Sequence, residues 1–350
     1  MSLSAAPRVA IGTPLSRAAA VAGLVLVVLL AAAPAVVSRS LLQDLILVFL
    51  LVGLAQCWNL LAGYAGLISV GQQAFVGLGG YGLFAAVVLL GLDPLVAVPL
   101  VAVAVAALSV PVGLVVFRLQ GAYFAVVTWV VAEVFRLVLA QVQPLGGGTG
   151  TSLPRSATSE MVGIETVAAL FGVRSAAARE IVLYWAALGA AVLIVVAAYL
   201  ILRSRLGLAL AAIRDGEVAA ESVGVDILRT KFAVYVFAAF GAGLVGALYF
   251  LQTSRISPDA AFSVLDWTAY VIFIVVIGGI GTIEGPIVGA VLFVVLRGLL
   301  SGYGPWYLIL LGALGIAVML LAPKGLWGVL AARTGWHLFP TRRRLLPPRG

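Results

Sequence analysis

A single cysteine, Cys57, and a single histidine, His337, leave this chain without a disulfide pair, a zinc set or a Cys/His dyad. No G-x-x-x-x-G-K-[ST] phosphate loop occurs, so any nucleotide hydrolysis linked to the chain falls to another polypeptide. Acid–base catalysis is equally short of means, because no carboxylates cluster inside the apolar stretches. Two charged constellations remain. The first is the island Ser204 to Asp226, where Arg203, Arg205, Arg214, Asp215, Glu217, Glu221, Asp226, Arg229 and Lys231 crowd between two nearly uncharged runs. Such a stretch belongs in water at a membrane face, and its basic excess assigns the cytoplasmic one. Asp215 is placed to N-cap a helix of about two turns, Glu217 falls in its first turn and Gly224 suits its stop. Arg214, Glu217 and Glu221 then share one face, open to another protein; the alternative is a solvated helix that only connects two spans. The second constellation is Glu133 with Arg136, three residues apart inside an apolar run, where charge needs a partner. An intrahelical ion pair near the outer half of the span is expected, with a place on a polar path or at an interhelical contact as the alternative.

The elements that hold these groups are apolar helices. Hydrophobic residues make up 63% of the chain and charged ones 10%, with a mean hydropathy of +1.20, far outside the range of soluble domains. Stretches long enough to cross a bilayer occur at about 18–37, 41–61, 66–91, 94–117, 121–143, 181–202, 230–251, 266–280, 286–301 and 304–322. The fold expected is an all-α polytopic membrane protein of about ten transmembrane helices, with broken Gly-rich segments and a short cytoplasmic helix. The eighth and ninth stretches are short and tightly joined, so a re-entrant pair is the alternative there. Threaded alternately, the spans put Arg8, Arg17, Arg118, the island, Lys324, Arg333 and Arg342 to Arg344 on the cytoplasmic side. Only Arg39, Arg155, Arg174, Arg179, Arg255 and Arg297 fall outside, so both termini are expected in the cytoplasm. The same distribution accounts for the net charge of +8 without nucleic acid. Because the apolar run after Arg17 continues toward further spans, the first span reads as a retained anchor.

Glycine marks the segments that are more than lipid-facing helix. Ala62 to Gly82 carries glycine at 63, 66, 71, 77, 79, 80 and 82, with Ser69, Gln72 and Gln73 at the same depth and Phe75 beside them. Unwound backbone is tolerated in a membrane only where protein or a water-filled path covers it, so a broken helix lining a path is expected. Close helix packing with the polar groups satisfied internally is the alternative. Gly281, Gly285 and Gly289 repeat at four-residue spacing, as do Ala238, Ala242, Gly246 and Ala239, Gly243, Ala247, which predicts close helix crossings. Pro144 to Glu180 is the long external connection, entered through PLGGGTGTSLP, and its apolar stretch Ile164 to Phe171 suits an interface. The closing TRRRLLPPRG is expected to be unstructured, a topology anchor or a patch for anionic lipid.

Three of these elements carry a resemblance. Arg205 to Gly224 reads R-x-G-x-x-x-x-A-I-R-x-x-E-x-A-A-x-x-x-G and is followed by TKFAVYVFAAFGAGLVGALY. This resembles the cytoplasmic coupling loop of ABC importer permeases of the hydrophobic amino acid uptake family, LivM type. Gly66 to Gly71 with Phe75 and Gly77 to Tyr81, and the GG-x-G-T-x-x-GP-x-x-GA run before Leu292, are similar to further elements of that family. Ile68 stands where related sugar permeases tend to have an acidic residue. The resemblance implies a permease domain at 18–322, with an external loop at 144–180 and a coupling loop at 204–229, between a cytoplasmic segment 1–17 and a basic cytoplasmic tail 323–350. It implies that the coupling loop, through Arg214, Asp215, Glu217, Ala219, Ala220 and Gly224, docks on an ATPase subunit. Implied partners are a second homologous permease, two ATPase subunits carrying the ATP, an extracytoplasmic binding protein and membrane lipid. Branched-chain or other hydrophobic amino acids are the implied cargo; urea or short amides, or a secondary transporter, are the alternatives. The chain itself is expected to be no enzyme and to hold no cofactor.

Overall fold

The computed structural model describes residues 8–10, 14–119, 121–304, 306–336, 338–340 and 344–346. His337, Arg342 and Arg343 lie outside the described residues, as do most of residues 1–13 and the last four positions. After β1 (Arg8–Ala10), helix α1 (Pro14–Ala32) ends just before Pro34, whose missing N–H leaves the Leu30 carbonyl without its helical donor. Tyr184 Oη donates to that carbonyl at 2.8 Å, and Trp185 Nε1 donates to the Ala31 carbonyl at 2.9 Å. Helix α2 (Arg39–Asn59) is capped by Ser38 and widens into a π-type turn at Leu60–Tyr64. Then come α3 (Gln72–Val88), α4 (Pro94–Val116), capped by Asp93, and α5 (Ala122–Leu139). The following connection holds β2 (Thr151–Ser152), α6 (Arg155–Ser159) and α7 (Ile164–Phe171). Helix α8 (Ser175–Arg203) leads into the charged island, which forms α9 (Arg205–Asp215) and α10 (Glu217–Ser222), and α11 (Ile227–Thr253) leaves it from an Asp226 cap. The chain closes with β3 (Arg255–Ile256), α12 (Pro258–Ala261), α13 (Tyr270–Gly278), α14 (Glu284–Leu300), α15 (Trp306–Leu321), α16 (Gly325–Thr334) and β4 (Arg344–Leu346).

Among the described residues, eight helical stretches are long and apolar enough to cross a membrane: Ser16–Ala35, Arg39–Tyr64, Pro94–Val116, Ala122–Leu139, Ser175–Arg203, Ile227–Thr253, Pro258–Gly278 and Trp306–Thr334. The two remaining expected spans appear as the 17-residue helices α3 and α14. The first is short because residues 66–71 of its expected segment are non-helical backbone, whereas α14 fills nearly all of its expected segment and starts two residues earlier.

Small residues decide which helices form the centre. Helices α2, α3 and α11 are buried over most of their length, whereas α1 has no buried residue among those described and α15 has only Leu311. Ala238, Ala239, Ala242 and Ala247 are buried on α11, and a Cβ at Gly246 would collide with the Val76 carbonyl of α3. The expected close crossing is therefore between α11 and α3. Apolar side chains on α1, α4 and α15 such as Leu24, Leu100 and Leu320 point outward, as they do where lipid rather than water is the solvent.

Two pairings tie the periphery. Thr151 and Ser152 pair antiparallel with Ile256 and Arg255. Arg8–Ala10 pairs antiparallel with Arg344–Leu346, so this part of the tail is a strand and not the unstructured segment expected, and the two ends of the chain meet. Three residues, Arg344 to Leu346, are too few to show the alternation that marks a strand; the second strand supplies the reason to extend.

Candidate functional site

Between α2 and α3 the backbone leaves helical geometry over residues 65–71, as the glycines predict. Side chains satisfy the exposed main chain: Trp58 Nε1 donates to the Ser69 carbonyl at 2.9 Å, and Gly71 N donates to Ser69 Oγ at 3.2 Å. Val70 N donates to Thr128 Oγ1 of α5 at 3.1 Å. Gln72 and Gln73 open α3, and Thr268 donates to Gln73 Oε1. The Nε2 atoms of Gln72 and Gln73 are buried without a partner. Phe75 meets Tyr235 edge-on at 5.5 Å between ring centroids. Ser69, Gln72, Gln73 and Phe75 are thus all buried beside α5, α11 and the segment around Thr268, while Gly66 and Ile68 of the break are exposed.

The stripe of Gly281, Gly285 and Gly289 divides in two. Gly285 and Gly289 sit where α14 crosses α13, since a Cβ at Gly289 would strike the Ile274 carbonyl and one at Gly285 would strike the Gly279 carbonyl. Gly281 instead lies in the turn before α14, with φ of 75°. Gly278, on α13, is the residue that faces Gly285.

That turn rests against the end of α2. Asn59 Nδ2 donates to the Thr282 carbonyl at 2.8 Å, Gly281 N donates to Asn59 Oδ1 at 2.8 Å, and Gln56 Nε2 donates to the Ile283 carbonyl. Sequence reasoning missed both amides, although two amide side chains one turn apart in an apolar run were a usable signal. Arg214 of α9 reaches the same place, lining a small cleft with Tyr64 and Gly281. Among the described residues no group of three His, Cys, Asp or Glu is placed to hold a metal. What this region can do is mechanical: it joins the charged island, a glycine turn and a helix break.

The chain matches, over residues 40–322, the family described as branched-chain amino acid transport system / permease component. It belongs to that family. It is 32% identical over 314 residues to the high-affinity branched-chain amino acid transport system permease protein LivM of Escherichia coli (strain K12), which covers 86% of this chain and 73% of that one. The protein of the same name from Salmonella typhimurium has the same identity and coverage. A probable branched-chain amino acid transport permease protein LivM of Methanocaldococcus jannaschii is 29% identical over 103 residues, 29% of this chain and 30% of its own. No solved structure matches the chain significantly.

In this permease the island departs from the expected arrangement. Ser204, not Asp215, caps its first helix, and Asp215 ends that helix because Gly216 takes an extended conformation. The island is therefore two helices, and Arg214 does not share a helix with Glu217 and Glu221. Glu217 begins α10 as expected, and Gly224, with φ of 85°, follows its end. Leu210, Ile213 and Ala220 face inward, and Glu217 pairs with Lys231 at 2.6 Å. Ala219, Val218 and Val223 are exposed, the two valines at 80% and 76%.

The other charged constellation is larger than a pair. Arg136 binds Glu133 through Nε and Nη2 at 2.6 to 3.0 Å, and its Nη1 also binds Asp259 of α12 at 2.9 Å. The long connection is anchored to segments far away in sequence: Asp93 accepts from Val162 N at 2.8 Å, and Arg179 Nη2 donates to Ser254 Oγ at 2.6 Å. Asp44 and Asp266, at the ends of apolar runs, are exposed.

Proposed function

We propose that this permease passes branched-chain or other hydrophobic amino acids as part of an ATP-driven importer, with ATP hydrolysed on two separate ATPase subunits. The observation that carries the reading is the position of the charged island against the turn 279–283 and the π-type turn Leu60–Tyr64 that leads into the break, a place where force from outside the membrane can reach the spans. The loop 204–229 docks on an ATPase through its exposed surface at Val218, Ala219 and Val223, flanked by Asp215 and Glu221. Ala220, buried inside the chain, shapes that surface from beneath. A second permease completes the path, and an extracytoplasmic binding protein delivers cargo at the face bearing 144–180. Both termini lie in the cytoplasm, in keeping with the basic residues near them. The path runs at the break, where Ser69, Gln72, Gln73 and Phe75 become accessible when α3 and α5 part. Neutral amides, small residues and aromatic rings suit a zwitterion with an apolar side chain, and no basic cluster there would hold a polyanion.

The test is ATP-dependent uptake into vesicles carrying the assembled complex, comparing labelled leucine with labelled urea, each with its purified binding protein. Leucine uptake without urea uptake is expected. Urea uptake alone would reject the amino acid cargo and leave the permease assignment standing.

A further inference from the structure

Gln56 and Asn59 are each 1% exposed, lie one turn apart on α2, and direct their assigned side-chain hydrogen bonds to one turn more than two hundred residues later. The turn is braced within itself: Thr282 Oγ1 donates to the Gly279 carbonyl at 2.7 Å and accepts from Gly285 N at 3.0 Å. Gly279 at φ of 131° and Gly281 at 75° let the chain take this shape, and the two Thr282 bonds hold it there. It therefore moves as one piece. On its α2 side the fit is close, since a Cβ at Gly63 would stand 2.6 Å from Asn59 Oδ1 and 2.7 Å from Gly281 N. On its other side, Arg214 Nη1 lies 3.6 Å from where a Gly281 Cβ would be, and a Cβ at Gly279 would stand 3.1 Å from the Lys324 carbonyl at the start of α16. Among the described residues, Asn59 is the only side-chain amide that both donates to and accepts from the turn, and residues 60–71, where helix gives way to the break, follow it directly.

We infer that Asn59 is the positioning residue through which displacement of the charged island reaches the break between α2 and α3, by way of the turn 279–283. The inference rests on the reading that force enters at the island. Arg214 pushes on a rigid turn, and the paired hydrogen bonds of Asn59 make the end of α2 follow it. Without them, Gly281 N and the Thr282 carbonyl lose buried partners, and the turn moves without carrying α2.

The experiment uses the complex of permease, ATPase subunits and binding protein in vesicles, and measures uptake and ATP hydrolysis together. Asn59→Ala is expected to lower uptake per ATP hydrolysed about tenfold while hydrolysis stays within about twofold of the original, the scale of an equilibrium shifted by one or two buried hydrogen bonds. A purely structural role would lower both in proportion to the amount of folded complex, and that result, or an unchanged ratio, overturns the inference. Should Asn59→Ala fail to assemble, Asn59→Ser, too short to hold both Gly281 N and the Thr282 carbonyl, takes its place, and the same ratio decides. A second measurement needs no transport. In the full chain in detergent, Asn59→Ala is expected to speed amide exchange in 205–215 as well as in 279–283; faster exchange confined to 279–283 and the end of α2 overturns the joint. If the original complex takes up no cargo with ATP, the proposed function fails, and the exchange measurement alone decides the inference.

Discussion

Arg136 illustrates how much a single side chain can change a reading. Glu133 and Arg136 were legible as a pair because helical spacing alone puts them together, yet Asp259 enters from another element. Arg136→Gln therefore frees two carboxylates, whereas Glu133→Gln leaves Arg136 with Asp259. Folded yield in detergent should fall more for Arg136→Gln than for Glu133→Gln, and the double variant should lie nearer the milder single one. Equal losses in the two single variants would show that Asp259 shares no charge with the cluster. At the break, Gln73 has a buried Nε2 without a partner, and Gln73→Leu removes that donor while taking from the Thr268 hydroxyl its acceptor, so folded yield should fall only modestly, by the one bond lost. If the path runs there, that same variant should lower leucine uptake about tenfold or more, because a polar group that meets the cargo is gone. Normal uptake would remove Gln73 from the path.

Helices α13 and α14 approach so closely that carbonyl oxygens stand where a side chain at Gly285 or Gly289 would begin. Gly289→Leu must separate them, and the cost of forced overpacking is about 1–3 kcal/mol or more, read as a lower Tm of the purified protein. Gly281→Ala acts differently, by straining a turn, and should disturb coupling to the island before it disturbs assembly. In the island, Val218 and Ala220 make a contrast: one is exposed and the other buried. Val218→Asp should reduce capture of the ATPase subunit without loss of permease, while Ala220→Leu should lower folded yield. Pull-down from co-expressing membranes separates these outcomes, and full ATPase capture by Val218→Asp would move the docking surface elsewhere. Glycine content announced each of these elements, but whether a given glycine stands at a crossing or in a turn depends on which backbone lies opposite.

For the whole molecule, the pairing of Arg8–Ala10 with Arg344–Leu346 demands that both ends lie on one side, which an even number of crossings satisfies. Tags at the two termini should both be cleaved by protease in inside-out vesicles and both be protected in right-side-out ones; opposite behaviour of the two tags would break the topology. Apolar run length, arginine asymmetry and the absence of catalytic side chains are properties of the linear chain, because membrane thickness and charge placement act on each segment in turn. They were enough to read a polytopic membrane protein, its approximate spans and the charged island. Spacing within one helix was enough for the bond between Glu133 and Arg136 and for Gly224 as a stop. What the linear chain left open is every relation between distant segments. That Asn59 grips Gly281 and Thr282, that Asp259 joins Arg136, that Gly278 and not Gly281 faces Gly285, and that Ser69, Gln72, Gln73 and Phe75 are sealed from solvent were decided by tertiary packing. The reason is physical: inside a membrane nearly every residue is apolar and every helix is a candidate neighbour, so hydrophobicity does not select partners. Close backbone approach at small residues and the satisfaction of a few buried polar groups do, and both exist only once the chain is folded.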